Sequence, residues 1–458
     1  MQKIIIKNFG AIEYAEIEIK KVLVLIGEQA SGKSTIAKLI YFFKSLRDDV
    51  FNQIYQDQKR DYFDENLDVI SVLQEKFYNW FGSTKNFNDD FEIKFYYNFE
   101  LDKSLILSLS QDKAIRCEFS PNFFNDKFKD LIGEIKKLLQ STSNTDNWLS
   151  HNQYKLAYAQ IISDELNKLF NNCYQVDSLF VIAGRSATVS YSELFERELF
   201  ASIKSRLQRN NDLIYHLKTQ AVDEILMLEF ISKILNNKVY LKDWENSYSE
   251  YHNSNYILIK KKVFEILKGE YIDDNGEEKI ILNSQESICL RNASSGQQEV
   301  IRILQDILVV ITKGLILLRI VEEPEAHLFP VAQKNLVELL ALMVNQNDEN
   351  QLIITTHSPY ILTVFNNLLF AQRVVDKNPS TEAEVEELIP KEFWLKAKDF
   401  SAYSLGNSSI EEEPKYCESI FNQQTGAIKQ NYLDAVSEML GGDFNALYSI
   451  YTKNSRRR

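Results

Sequence analysis

With 458 residues the chain is long enough for two or three domains, and 45% hydrophobic with 26% charged residues is ordinary for a soluble globular protein with a sizeable core. Acids outnumber lysine plus arginine 65 to 52, a formal net charge of -13, which argues against non-specific binding to a polyanion but leaves room for a local basic groove. Cys117, Cys173, Cys289 and Cys417 show none of the paired spacings of a zinc site or redox motif and suit scattered thiols in a reducing compartment. The opening MQKIIIKNFG has neither an apolar leader nor a cleavage site, and the longest apolar run, around LILLRIV, is too short for a bilayer. The expectation is a cytoplasmic protein with no membrane partner.

In chain order, residues 3–7 and 14–19 read as short strands, followed by an apolar strand at 22–26. A helix carrying Ile36, Leu39, Ile40 and Phe43 on one face comes next. From 92 to 110 the period changes to two: Ile93, Phe95, Tyr97 and Phe99 alternate with polar neighbours, as do Leu105, Leu107 and Leu109, which predicts an antiparallel hairpin. Helical periodicity returns near 123–140 and 153–170, and a strand at 179–183 ends at Gly184. Residues 192–241 contain no proline or glycine and are helical in pattern; Ile214, Leu217, Ala221, Leu228, Ile231 and Leu235 follow a seven-residue spacing broken by Glu224. That pattern fits a short helical hairpin or stalk, or an amphipathic pair packed on a globular head. Asp274, Asn275 and Gly276 mark a second hairpin, and the acidic stretches 381–392 and 411–414 read as solvated loops.

The strand at 22–26 runs into GEQASGKST, residues 27–35, which fits the phosphate loop of nucleotide hydrolases and has the strand-loop-helix context that motif needs. Backbone N–H groups of Gly27, Gln29, Ala30, Ser31 and Gly32 can wrap phosphates, helped by the helix N-terminus at Thr35. Lys33 is placed to reach the terminal phosphates and the Ser34 hydroxyl to ligate magnesium. Far along the chain, the apolar run 315–321 leads into Glu322, Glu323 and Pro324. A buried parallel strand ending in paired carboxylates suits Glu322 for the magnesium shell and Glu323 for orienting or deprotonating the attacking water. Arg319 is unusual inside such a strand. ASSGQQEV, residues 293–300, opens a helix with Val300, Ile301, Leu304, Leu308 and Ile311 inward and Gly314 at its end, a second candidate anion site. In LIITTHSPYIL, an apolar strand ends at His357, which either reports on the terminal phosphate or satisfies nearby backbone.

Together GEQASGKST, ASSGQQ, IVEEPEAHL and TTHSP resemble the ABC-type ATPase heads of the RecF, SMC and Rad50 group, in the OLD-like AAA15 subgroup of bacterial ATPases with EEPEAHL. The resemblance implies an α/β fold: a mixed sheet with central parallel strands, an antiparallel β subdomain and a short helical insertion. The expected division is an N-terminal lobe at 1–190, the insertion at 191–250 and a C-terminal lobe at 251–458. It also implies ATP and Mg2+, with two heads sandwiching two nucleotides. Ser294, Ser295, Gly296 and Gln297 of one subunit would meet ATP held at Lys33 of another, and His357 would be the switch histidine. ASSGQ in place of LSGGQ, and Glu322 in place of aspartate, favour this subgroup over a membrane transporter.

GEQASGKSTIAKLIYFFKSL with a short helical insertion looks like the AriA ATPase family of PARIS anti-phage defence. That family implies an oligomeric sensor that restrains a Toprim nuclease until a phage-encoded trigger protein is met. No Asp-x-Asp strand end of a Toprim domain follows His357 and no HNH pattern is present, so the effector is expected to be a separate chain. The Septu ATPase and other defence ATPases share these motifs. The alternative is a RecF-like DNA clamp, with Lys204, Arg206, Arg209, Lys260, Lys261 and Lys262 as contacts. Nucleic acid is thus allowed but not favoured. VIAGRSATVSY, at 181–191, also resembles a segment common in the subgroup; Arg185 there is read either as approaching the nucleotide or the insertion, or as structural.

Overall fold

In the computed structural model, the structure describes residues 1–56, 60–121, 123–142, 148–171, 177–190, 222–241, 254–274, 276–406 and 415–429. The fold is α/β. Strands β1 (Gln2–Phe9), β2 (Ile12–Ile19) and β3 (Val22–Gly27) open the chain, followed by the helix Lys33–Gln56. Strands β4 (Glu92–Asn98), β5 (Lys103–Leu109) and β6 (Ile115–Phe119) then join β1 and β2 in an antiparallel sheet of order β2-β1-β4-β5-β6. The expected hairpin at 92–110 is therefore the middle of a larger sheet.

The second layer is built from β7 (Ser178–Val181), β11 (Leu318–Glu322), β12 (Gln351–Thr356), β13 (Phe400–Leu405) and β14 (Cys417–Ser419) in the order β14-β13-β3-β12-β11-β7. All its pairings are parallel except that of β14. A parallel sheet covered on both faces needs continuous apolar strands rather than alternating ones. β3 meets this demand: Leu23 and Leu25 enter the core shared with the antiparallel sheet, and Val22 and Val24 enter the core on the opposite face. The helix Lys33–Gln56 lies in the first core, so Ala37, Phe42 and Leu46 are buried along with the expected Ile36, Leu39, Ile40 and Phe43.

A smaller sheet, β8 (Glu270–Asp274), β9 (Glu277–Ile281) and β10 (Ser287–Cys289), contains the second expected hairpin. The acidic stretch after 381 is corrected by the structure: Glu382–Leu388 is a short exposed helix, whereas 411–414 lies outside the described residues. Of the two readings of the heptad, the described part fits the face packed on the head rather than a stalk. Helix Val222–Leu241 buries Leu226, Phe230, Ile231 and Ile234, and Leu228 and Leu235 are only half-buried. This face packs on β7 and on the helix Ser295–Lys313, so burial in the head decides which residues turn inward. Ile214, Leu217, Ala221, Lys204, Arg206 and Arg209 lie outside the described residues. Cys117, Cys289 and Cys417 are free thiols, and among the described residues no helix is long and apolar enough to cross a membrane.

Candidate functional site

Strand register gathers the motifs at one edge. β3 runs parallel to β12 with Ile26 beside Thr356, and β12 runs parallel to β11 with Thr355 beside Glu322. Gly27, His357 and Glu323 therefore leave the sheet at the same level, at the carboxyl ends of three adjacent strands, where open α/β sheets bind ligands. The loop is seated by close backbone approach: a Cβ on Gly27 would lie 2.3 Å from the Leu405 carbonyl oxygen, and Gly32 sits at φ +80° with Ile12 beside it. Ala30 also adopts a left-handed conformation, φ +61°. From Ser31 the chain passes directly into the helix, leaving Ser34 and Thr35 half-buried in its first turn, with Glu28, Gln29 and Ala30 exposed.

Lys33 is buried, and its Nζ donates to the carbonyls of Gly27 at 2.8 Å and Glu28 at 2.6 Å and to Ser31 Oγ at 3.3 Å. Desolvation holds its pKa below the usual lysine value, opposed by the carboxylates of Glu323, Glu325 and Glu28. Phosphate oxygens taking over from those neutral carbonyls would bring negative counter-charge to this buried ammonium. Tyr416, which the motifs do not reveal, donates its hydroxyl to the Ser31 carbonyl at 2.9 Å and braces the loop; burial pushes its own pKa up to about 12.

Glu322 is 3% exposed. Its Oε2 accepts the Ala183 N–H at 3.2 Å, while Oε1 is buried with no hydrogen-bond donor among the described residues. A buried carboxylate oxygen without a donor is costly unless a cation or its water shell meets it, so this group fits Mg2+, with the Ser34 hydroxyl as a further oxygen donor. Glu323 has a left-handed backbone at φ +42°, although its N–H still donates to Thr355 O at 2.8 Å. That turn puts Oε1 3.3 Å from His357 Nε2, with both side chains partly open to solvent. Glu325 fixes the neighbouring peptide: its Oε1 accepts from Thr356 Oγ1 and from the His357 N–H, each at 2.7 Å.

The helix Ser295–Lys313 begins with a capping box. Ser294 Oγ accepts from Gln297 N–H, and Gln297 Oε1 accepts from the Ser294 N–H at 3.0 Å. Ser294 and Ser295 are exposed, whereas Gly296 is buried under the loop after Glu323, where a Cβ would lie 2.5 Å from the His327 carbonyl oxygen. Gln297 Nε2 donates to Leu267 O at 2.6 Å. Among the described residues, no hydrogen bond or ion pair joins 294–297 to the loop 27–35 of the same chain. Of the alternative cationic contacts, Lys262 is held by Asn335 and Glu338, and Lys260 pairs with Glu270 at 2.9 Å. Both are engaged within the head.

Arg319 and Arg185 are buried in the head near these elements. Arg319, unexplained in sequence, pairs with Asp306 of the 295–313 helix at 2.6 Å and with Asp177 at 3.0 Å. Arg185 is fully buried and donates to the carbonyls of Ile182, Glu322, Glu323 and Glu299, which places it behind the paired carboxylates rather than on the open face of the site.

Solved structures similar to this chain include an Smc head bound to the C-winged helix domain of ScpA, at 12% identity over 79% of this chain and 90% of that one, TM-score 0.35. An SMC head domain from Thermotoga maritima matches at 11% identity over 79% and 90%, TM-score 0.31. The Smc head with an extended coiled coil bound to the C-terminal domain of ScpA derived from Pyrococcus furiosus matches at 13% identity over 80% and 92%, TM-score 0.31. No curated protein matches. The model of the AAA ATPase domain family AAA_15 matches residues 1–362, the span that holds the phosphate loop, the paired carboxylates and His357, and the chain belongs to that family.

Proposed function

We propose that the chain is an ATP-hydrolysing ATPase of the ABC type, acting as an oligomer whose ATP sites are shared between subunits. The observation that carries this reading is the placing of the Glu323 carboxylate beside His357, at the strand ends that also carry the Lys33 loop. The backbone of Gly27–Thr35 and the Lys33 ammonium hold the phosphates. Glu323 takes the proton of the attacking water, and His357 keeps that carboxylate turned towards the terminal phosphate. Glu322 and Ser34 would hold Mg2+, which supplies charge neutralisation between the phosphates when bound. The exposed Ser294 and Ser295, with Gly296 and Gln297, complete the site of a second copy. Turnover per subunit, measured across protein concentration, is expected to rise up to an assembly threshold; constant turnover in a proven monomer would exclude the shared site.

Within this class, the resemblance to the PARIS ATPases supports a sensor and scaffold that controls a separate Toprim-type nuclease and answers a phage-encoded trigger. The test is a pull-down of tagged Glu323→Gln protein expressed with its native gene neighbours and held in ATP. A stoichiometric protein bearing nuclease carboxylates, without nucleic acid, supports the sensor reading; nucleic acid alone would replace it with a RecF-like clamp.

A further inference from the structure

The strained peptide that aims Glu323 is held from behind by one side chain. Arg185 Nη1 donates to the Glu322 carbonyl at 2.7 Å and to the Ile182 carbonyl at 3.1 Å, and Nη2 donates to the Glu323 carbonyl at 3.0 Å. Its Nε donates to the Glu299 carbonyl at 3.2 Å and lies 3.4 Å from Glu299 Oε2. Glu299 belongs to the first turns of the helix that begins at Ser295. One rigid guanidinium thus links the main chain of both site carboxylates to the helix that begins at the exposed Ser295. A left-handed non-glycine residue persists only where surrounding contacts over-determine it, and Glu323 at φ +42° has its N–H fixed by Thr355 and its carbonyl held by the Ala326 N–H within the turn and by Arg185 from outside it.

We propose that Arg185 is a positioning residue for hydrolysis, which holds the Glu323 peptide in its strained conformation and couples it to the 295–313 helix through Glu299. This rests on the reading of Glu323 as the group that activates water. Arg185 lies buried behind the carboxylates, and among the described residues it makes no hydrogen bond or ion pair with the phosphate loop, so its work falls on turnover and leaves ATP affinity alone. Asp306, two turns along the same helix, supplies an internal comparison. It ties the helix to the same strand through Arg319, yet neither it nor Arg319 hydrogen-bonds the Glu323 carbonyl.

The experiment measures kcat, KM and nucleotide binding for wild type, Glu323→Gln, Arg185→Lys, Glu299→Gln and Asp306→Asn, with folding checked by thermal melting. Lysine keeps the charge but cannot span several carbonyls with a planar fork. Arg185→Lys is therefore expected to lower kcat on the order of 10-fold to 100-fold, the scale of a small misplacement of a reacting group, with KM within about 3-fold of wild type. Glu299→Gln should lower kcat in the same sense, and Asp306→Asn should lower melting temperature while leaving kcat near wild type. A folded Arg185→Lys protein with wild-type kcat, beside an inactive Glu323→Gln, overturns the proposal but leaves the ATPase reading standing. Equal kcat losses in Glu299→Gln and Asp306→Asn, or failure of both Arg185→Lys and Glu299→Gln to fold, also overturn it, because the contact is then structural. Absence of hydrolysis in wild type instead removes the ATPase reading itself.

Discussion

Glu323 Oε1 and His357 Nε2 stand 3.3 Å apart, although the two residues follow different strands. Parallel pairing of β11 with β12 sets the level at which each chain leaves the sheet, and the left-handed turn at Glu323 swings its carboxylate across to the histidine. Glu323→Gln preserves that shape but removes the basic oxygen. Hydrolysis is expected to fall on the order of 100-fold to 10,000-fold, with ATP retained on the protein in equilibrium dialysis. Wild-type turnover in this variant would remove Glu323 from the reaction.

Lys33 has its ammonium turned onto the carbonyls of its own loop, in a buried setting that disfavours the charge. Lys33→Ala should weaken nucleotide binding at least 10-fold by titration with a fluorescent ATP analogue. The folded state should survive, since the lost hydrogen bonds are within the loop. Undiminished binding would place the phosphates elsewhere.

Among the described residues, Glu322 leaves one buried oxygen without a donor. Glu322→Gln replaces one carboxylate oxygen by an amide and reduces attraction for a divalent cation. The magnesium concentration giving half-maximal ATP binding is expected to rise several-fold, while binding in excess EDTA changes little. An unchanged magnesium titration would exclude Glu322 from the cation shell.

Gly296 has no room for a side chain, because a Cβ would press on the His327 carbonyl at 2.5 Å. Gly296→Ala forces the helix start and the loop after Glu323 apart, at a cost of about 1–3 kcal/mol by analogy with overpacked cores. Melting and concentration-dependent turnover together test this. A stability loss with normal turnover at high protein concentration would separate the packing role of this glycine from any part in assembly.

Arg319 joins Asp306 and Asp177 inside the head, and Lys233 of the 222–241 helix reaches the same Asp177 carboxylate at 2.5 Å. Arg319→Met should destabilise by about 3–5 kcal/mol, because buried carboxylates lose their counter-charge. Denaturant unfolding checks this, and a change below about 1 kcal/mol would mean that water or a rearranged lysine replaces the guanidinium.

The motifs are legible because each is local. The loop 27–35 needs a strand before it and a helix after it, and the capping box at Ser294 and Gln297 closes within a single turn. Arg185, Glu325 and Tyr416 are not legible in that way, since their partners come from other elements. Nothing in VIAGRSATVSY states that its arginine will carry the carbonyls of Glu322 and Glu323. Heptad spacing in 214–235 was equally ambiguous, because a seven-residue repeat fits both a two-helix seam and a face laid on a sheet.

What the sequence alone determined is the set of chemical parts: apolar strands too continuous for a one-sided sheet, glycines where the chain approaches itself, paired carboxylates and a histidine at strand ends. The tertiary structure alone decided their register and their supports. Parallel hydrogen bonding brings Gly27, Glu323 and His357 to one edge, and the buried Arg185 ties the 295–313 helix to that edge. Periodicity along a chain records which face is apolar, but not which distant backbone oxygen a guanidinium will find, and that choice is made only when the layers close and leave those oxygens without water.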